Sequence, residues 1–221
     1  MAKQFKAVLF DLDGTLLDTV GDIHHNVNLT MEEFEYPTHT REKVTSFINH
    51  GALHLITQAL PEDARDSENI EKVLSRYLEI YDKYVSVETV PYEGISQLIE
   101  KLKNQGVLMA VVSNKPERHV KMLCEKFFGK GTFSYISGTG NDKPVKPSRE
   151  CVELALSHLG TGCEDTLFVG DSDIDVKTAK NSGLVSAGVT WGFHGKDSFK
   201  DDFPDNYIHN AQQLYSLIMG I

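Results

Sequence analysis

The spacing of hydrophobic positions changes character twice along this chain. Residues 5–10 form an apolar run broken only by Lys6, the pattern of a strand buried on both faces. From about 18 to 88 no strand pattern occurs. Val20, Ile23, Val27, Met31 and Phe34 recur at helical spacing ahead of Pro37. Thr40 is placed to cap a helix through Ile48, Gly51 breaks it, and Leu53, Ile56 and Leu60 continue on another. Ser67 is placed to cap a longer helix carrying Ile70, Val73, Leu74, Tyr77, Leu78, Tyr81 and Val85. This block reads as a small helical bundle.

From Pro91 onward strands and helices alternate. A helix over 93–105 ends at Gly106, and the wholly apolar run Val107 to Val112 reads as a strand. Pro116 suits the first turn of a helix bearing Val120, Leu123 and Phe127, and a short strand follows at 135–136. Ser148 is placed to cap a helix through Leu159, stopped by Gly160. Strands at 166–169 and 185–189 flank a helix ending at Ser182 and Gly183, and residues 211–219 form a last amphipathic helix. Continuous apolar strands alternating with helices imply an α/β fold: a Rossmann-like, doubly wound parallel sheet covered on both faces. The expected division is a core of residues 1–17 and 89–221, with a helical-bundle cap, 18–88, inserted after the first strand as a lid over the carboxyl edge of the sheet.

Strand ends then carry the chemistry. The first strand runs into Asp11-Leu-Asp13-Gly14-Thr15. Clustered carboxylates at the end of a buried strand are costly to desolvate, and the usual relief is a bound cation. The strand at 107–112 ends in Ser113-Asn114-Lys115, the strand at 166–169 ends in Gly170-Asp171-Ser-Asp-Ile-Asp175, and Lys146-Pro147 precedes the helix from Ser148. A parallel sheet gathers these termini side by side, and their inventory fits Mg²⁺ plus a phosphate better than any apolar ligand.

Charge narrows the partners. A net charge of −10 argues against nucleic acid and against an anionic membrane surface. No apolar run approaches the roughly 20 residues that span a bilayer, and no targeting segment is evident. Cys124, Cys151 and Cys163 lack metal-ligand spacing, and so sparse an odd count is read as reduced thiols in a cytoplasmic protein. Oligomeric state has no signature in the sequence.

Asp11-Leu-Asp-Gly-Thr resembles the first motif of the haloacid dehalogenase superfamily of phosphohydrolases; Ser113, Lys146 and Gly170-Asp171-Ser-Asp-Ile-Asp175 resemble its second, third and fourth, in order. Asp18-Thr19-Val-Gly-Asp22-Ile23 with Asn28, Ser113-Asn114-Lys115 and Gly188-Val-Thr-Trp-Gly192 are similar to the phosphoglycolate phosphatase branch, although Arg149 stands where that branch often has a proline. The resemblance implies a Mg²⁺-dependent phosphomonoesterase acting on a small soluble phosphate, with 2-phosphoglycolate the first candidate. Asp11 is then the nucleophile that forms an aspartyl-phosphate, and Asp13 the proton shuttle. The metal is assigned to Asp11, Asp171 and the backbone carbonyl of Asp13, with Asp175 behind them. Gly14, Thr15, Ser113 and Asn114 are assigned to the phosphate, and Lys146 to its charge. Asp18 and Thr19 read as capping or hinge residues, Asp173 as a helix N-terminal acid, Lys115 as a lesser substrate contact, and His50 as a helix end. Trp191 and Phe193 read equally as site mouth or packing. Rival readings are a pyrophosphatase, a nucleotidase or a sugar phosphomutase of the same superfamily and, from another class, a phospho-aspartate signalling module.

Overall fold

The computed structural model describes residues 3–140, 143–200 and 202–221. The chain divides into two compact units: one runs through Asp18 and resumes over Pro91–Ile221, and the other is Thr19–Val90.

In chain order the strands are β1 (Ala7–Phe10), β2 (Leu17–Asp18), β3 (Val90–Pro91), β4 (Leu108–Pro116), β5 (Tyr135–Thr139), β6 (Thr166–Gly170), β7 (Val185–Val189) and β8 (Asn206–Ile208). The helices are α1 (Val20–Glu33), α2 (Arg41–Thr45), α3 (Gly51–Ala59), α4 (Ser67–Lys83), α5 (Ile95–Asn104), α6 (Glu117–Phe128), α7 (Arg149–Leu159), α8 (Asp173–Ser182) and α9 (Ala211–Met219).

The first unit is built on a parallel sheet of six strands in the order β5-β4-β1-β6-β7-β8. Alternate residues of β1 face opposite sides. Ala7 and Leu9 join Ala110, Val112 and Phe168 in a cluster with Val152, Ala155 and Leu159 of α7 and Ala179 of α8. On the other side Phe10 meets Phe133 edge to face, with ring centroids 6.5 Å apart. Both faces being buried explains why β1, β4 and β6 read as continuous apolar runs rather than alternating ones.

Polar signals set most of the helix ends. The Ser148 side chain accepts from the Glu150 N–H, Gly160 and Gly183 close α7 and α8 in the left-handed region, and Ser172 with Asp175 forms a capping box on α8. α4 begins at Ser67, but its cap is Asp66, whose carboxylate accepts from the Asn69 N–H at 3.0 Å. Thr40 caps α2, yet that helix stops at Thr45. α5 starts only after Gly94 (φ 76°), and β8 is a three-residue edge strand that lacks an apolar run to announce it.

β4 continues past its apolar run to Pro116, and its register with β5 shifts between Val112 and Pro116. Four steps on β4 there face two on β5, a bulge that re-aims Ser113, Asn114 and Lys115. Gly138 makes room for it, since a Cβ there would lie 2.5 Å from the Lys115 carbonyl oxygen and 2.5 Å from the Glu117 Cα.

The second unit is a helical bundle whose core joins Ile23, Val27 and Met31 of α1 to Val44, Phe47, Leu55, Ile56, Val73, Tyr77 and Tyr81. Asp22, almost fully buried on α1, organises the returning segment. Its Oδ1 accepts from the N–H groups of Val87 (3.0 Å) and Glu88 (2.8 Å), and its Oδ2 from the Thr89 N–H (2.9 Å) and hydroxyl. Asp22→Ala strands three backbone donors and a hydroxyl at once. It is expected to lower unfolding free energy by about 2–4 kcal/mol in a urea titration followed by circular dichroism; a loss below about 0.5 kcal/mol contradicts this anchor.

Candidate active site

Strand order places β1 between β4 and β6, and the register levels Phe10 with Val111 and with Val169. The residues just beyond these strands therefore emerge side by side. Asp11 is fixed by its own N–H, which donates to the Val169 carbonyl at 2.9 Å. The chain then turns tightly: the Leu12 carbonyl accepts from the N–H groups of Leu16 and Leu17, both at 3.0 Å, and of Thr15 at 3.3 Å. Gly14 sits at φ 83°, and a Cβ there would collide with the Asp171 carboxylate, so only glycine fits.

Lys146 is the hub. Its Nζ lies 2.8 Å from Asp11 Oδ1 and 2.7 Å from Asp175 Oδ1, and all three side chains are buried. Asp175 Oδ2 accepts from the Ser172 hydroxyl (2.6 Å) and N–H (3.1 Å), which locks the carboxylate that steers the lysine. Asn114 holds the Lys146 backbone from both sides: its Nδ2 donates to the Lys146 carbonyl (3.1 Å), and its Oδ1 accepts the Lys146 N–H (2.9 Å).

Asp171 is held between the turn that follows Asp11 and the loop after β7. Thr15 Oγ1 donates to its Oδ1 at 3.3 Å, and the Phe193 N–H donates to its Oδ2 at 3.2 Å. Asp13 faces a second lysine, Lys115, whose Nζ lies 3.1 and 3.3 Å from the two carboxylate oxygens.

The electrostatics are unbalanced. Asp11, Asp171 and Asp175 each offer an oxygen, all within 4.8 Å of one another. Against these three carboxylates stands one buried ammonium. Burial pushes Asp11 up to about 7; the pull of Lys146 is overcome with help from Asp175 and Asp13. Burial, then the charges of Asp175 and Asp11, push Asp171 well above the usual carboxylate range. Burial works against the charge on Lys146, but Asp11 and Asp175 outweigh it and hold its pKa above the ordinary lysine value. Asp11 Oδ1 is buried and, despite its closeness to Lys146, has no well-directed hydrogen-bond donor among the described residues. Excess negative charge, hard oxygen donors and an orphaned carboxylate oxygen together fit a divalent hard cation.

Asp11, Asp171, Asp175 and Lys146 thus lie together, Asn114 joins them through the Lys146 backbone, and Ser113 precedes Asn114 on β4. Gly14 and Thr15, assigned to the phosphate, use their N–H groups inside the turn, to Leu17 (2.9 Å) and Leu12, and they build the seat of Asp171. Asn114 pins the Lys146 loop. Ser113 Oγ accepts from the Lys115 N–H at 3.3 Å. Lys115 pairs with Asp13, a partner 102 residues away that no local pattern announces. Asp173 pairs with Lys177 on the first turn of α8, as a helix N-terminal acid does. His50, at the start of α3, lies with its ring 4.7 Å from that of His54 within the helical unit.

Comparison with known proteins finds relatives that match nearly the whole chain. The chain is 31% identical to a phosphoglycolate phosphatase of Mannheimia succiniciproducens, over 99% of this chain and 100% of that one. It is 34% identical to phosphoglycolate phosphatase 1 of Pseudomonas aeruginosa, over 95% of this chain and 78% of that one. A solved structure from Haemophilus somnus 129PT, described as a predicted phosphoglycolate phosphatase, superposes with a TM-score of 0.89 at 25% identity, covering 97% and 98% of the two chains. The family model for haloacid dehalogenase-like hydrolases matches residues 8–189, and with the motif residues gathered around Lys146 the chain belongs to that family.

Proposed function

We propose that this protein is a Mg²⁺-dependent phosphomonoesterase that hydrolyses a small soluble phosphorylated metabolite, 2-phosphoglycolate first among the candidates, through an aspartyl-phosphate on Asp11. The observation that carries the reading is the buried cluster of Asp11, Asp171 and Asp175, in which Lys146 pairs with Asp11 and Asp175. The names borne by the relatives support the choice of substrate. No helix among the described residues is long and apolar enough to cross a membrane, and the three cysteines are free, in keeping with a cytoplasmic enzyme.

Asp11 and Asp171, with the backbone carbonyl of Asp13, would hold the cation, which supplies Lewis-acid neutralisation of phosphoryl charge. A carboxylate oxygen of Asp11 attacks phosphorus and the bond to the leaving oxygen breaks. Asp13 gives that oxygen a proton. Water then attacks the same phosphorus, Asp13 takes its proton, and the Asp11–phosphorus bond breaks to release phosphate. Lys115 holds the Asp13 carboxylate on the bulged end of β4. Lys146 neutralises the transferring group, Ser113 contacts it through its hydroxyl, and Asn114 keeps the Lys146 segment in place.

Phosphate release across a panel of phosphomonoesters and pyrophosphate, with and without Mg²⁺, tests this reading. Turnover should require Mg²⁺ and favour 2-phosphoglycolate, and Asp11→Asn should lower it by at least about a thousandfold while the fold is kept. Retained turnover in Asp11→Asn overturns the mechanism, whereas a different preferred ester overturns only the substrate.

The same cluster sets a pH dependence. Asp11 ionises near 3.8 in an unfolded chain and near 7 in the fold. Between those values the folded chain holds the extra proton, so the stability this group contributes is present below about pH 4 and lost as pH rises through about 7. Mg²⁺ competes with that proton. The rise in melting temperature on adding saturating Mg²⁺ should therefore be larger at about pH 8 than at about pH 5 in differential scanning fluorimetry; an equal or smaller rise at the higher pH contradicts the charge assignment.

A further inference from the structure

The loop after β7 carries Trp191, the one tryptophan of the chain, and it makes two hydrogen bonds to the groups around the carboxylate cluster, one to Thr15 and one to Asp171. The Trp191 Nε1–H donates to the Thr15 backbone carbonyl at 3.0 Å. Thr15 in turn donates its hydroxyl to Asp171, and the Phe193 N–H donates to the other Asp171 oxygen. The links close a ring running from Trp191 through Thr15, Asp171 and Phe193 back along the loop. Its middle is filled tightly: a Cβ on Gly192, like one on Gly14, would run into Asp171. The loop is anchored where it leaves β7, by the Thr190 N–H to the Ile208 carbonyl at 2.9 Å, and again by the Gly195 N–H to the Gly192 carbonyl at 3.2 Å.

We propose that Trp191 is a positioning residue for metal binding: its indole N–H locks the β7 loop to the nucleophile turn and so holds Asp171 opposite Asp11 before a cation arrives. The inference rests on the Mg²⁺ reading above and adds to it a residue that touches neither metal nor phosphate. Asp11 and Asp171 belong to different strands, and a cation that binds both must fix their separation. A lattice that fixes it beforehand lowers the ordering cost of binding, as partners behind metal ligands commonly do. Rim packing alone accounts for the ring of Trp191 but not for its N–H reaching the carbonyl of the very residue whose side chain holds Asp171.

Trp191→Phe keeps an aromatic ring and removes only the donor. Calorimetric titration of substrate-free protein with Mg²⁺ should show affinity weakened by about three- to tenfold in the variant. In the substrate-free wild type, the Trp191 indole N–H should already be protected from hydrogen exchange before Mg²⁺ is added, and saturating Mg²⁺ should raise that protection by less than about tenfold. This second measurement decides the matter if the variant fails to fold. Wild-type affinity in a folded Trp191→Phe, or a wild-type indole N–H that exchanges as a solvent-exposed one until Mg²⁺ is added, overturns the role of Trp191 and leaves the metal reading standing. Absence of Mg²⁺ binding to the wild type overturns the metal reading and this inference with it.

Discussion

One buried lysine facing three buried carboxylates is the constraint on which the rest of the site depends. Lys146 offsets one negative charge and Asp11, Asp171 and Asp175 bring three, all removed from bulk water. A fold built only for stability would avoid this, because desolvated like charges raise each other's pKa and weaken the native state as they ionise. The imbalance makes sense where a cation and a phosphoryl group share the cavity: the cation meets the surplus charge, and Lys146 remains to meet the phosphoryl oxygens. Perturbed carboxylates gathered at strand ends are the electrostatic feature on which the proposed reaction rests.

The sheet makes this concentration of charge affordable. β1, β4 and β6 are buried on both faces, so their apolar residues supply the burial that secures strand order and register. Order and register then deliver Asp11, Ser113 and Asp171 to neighbouring positions. The polar residues are held by backbone as much as by side chains: Asn114 clasps the Lys146 main chain, Ser172 caps α8 through Asp175, and the Phe193 N–H meets Asp171. The bulge at the end of β4, possible because Gly138 has no side chain, aims Lys115 at Asp13 and gives that carboxylate a counter-ion of its own.

What the sequence makes legible follows from this division of labour. Strands with no polar face, helices with Ser148, Gly160 and Gly183 at their ends, and acids just past strand ends are local signals, and they suffice for the α/β sheet and for the convergence of Asp11, Asp171, Asp175 and Lys146. Hidden residues are those whose meaning lies in a distant partner. Lys115 follows Ser113 and Asn114 and reads as a further substrate contact; its engagement with Asp13 exists only once the bulge has formed. Gly14 and Thr15 read as phosphate ligands because a glycine-containing turn after an acid offers amides; that their N–H groups also close the turn, and that the Thr15 hydroxyl meets Asp171, has no local signature. Trp191 is separated from Thr15 by 176 residues, and an aromatic in a loop carries no local sign that its N–H has a partner. β8 escaped for a different reason: three residues containing Asn206 and an exposed Tyr207 make no period that can be read.

The proposed reaction stands or falls on transfer of the phosphoryl group to Asp11. Rapid mixing of the Mg²⁺-loaded enzyme with substrate, acid quench, and peptide mapping by mass spectrometry tests it directly. One added phosphoryl group is expected on the peptide spanning Asp11, removed by hydroxylamine as an acyl phosphate is, and absent from Asp11→Asn. A wild-type enzyme that turns over under the same conditions with no phosphoryl group on Asp11 at any quench time, or with one on another residue, would contradict it.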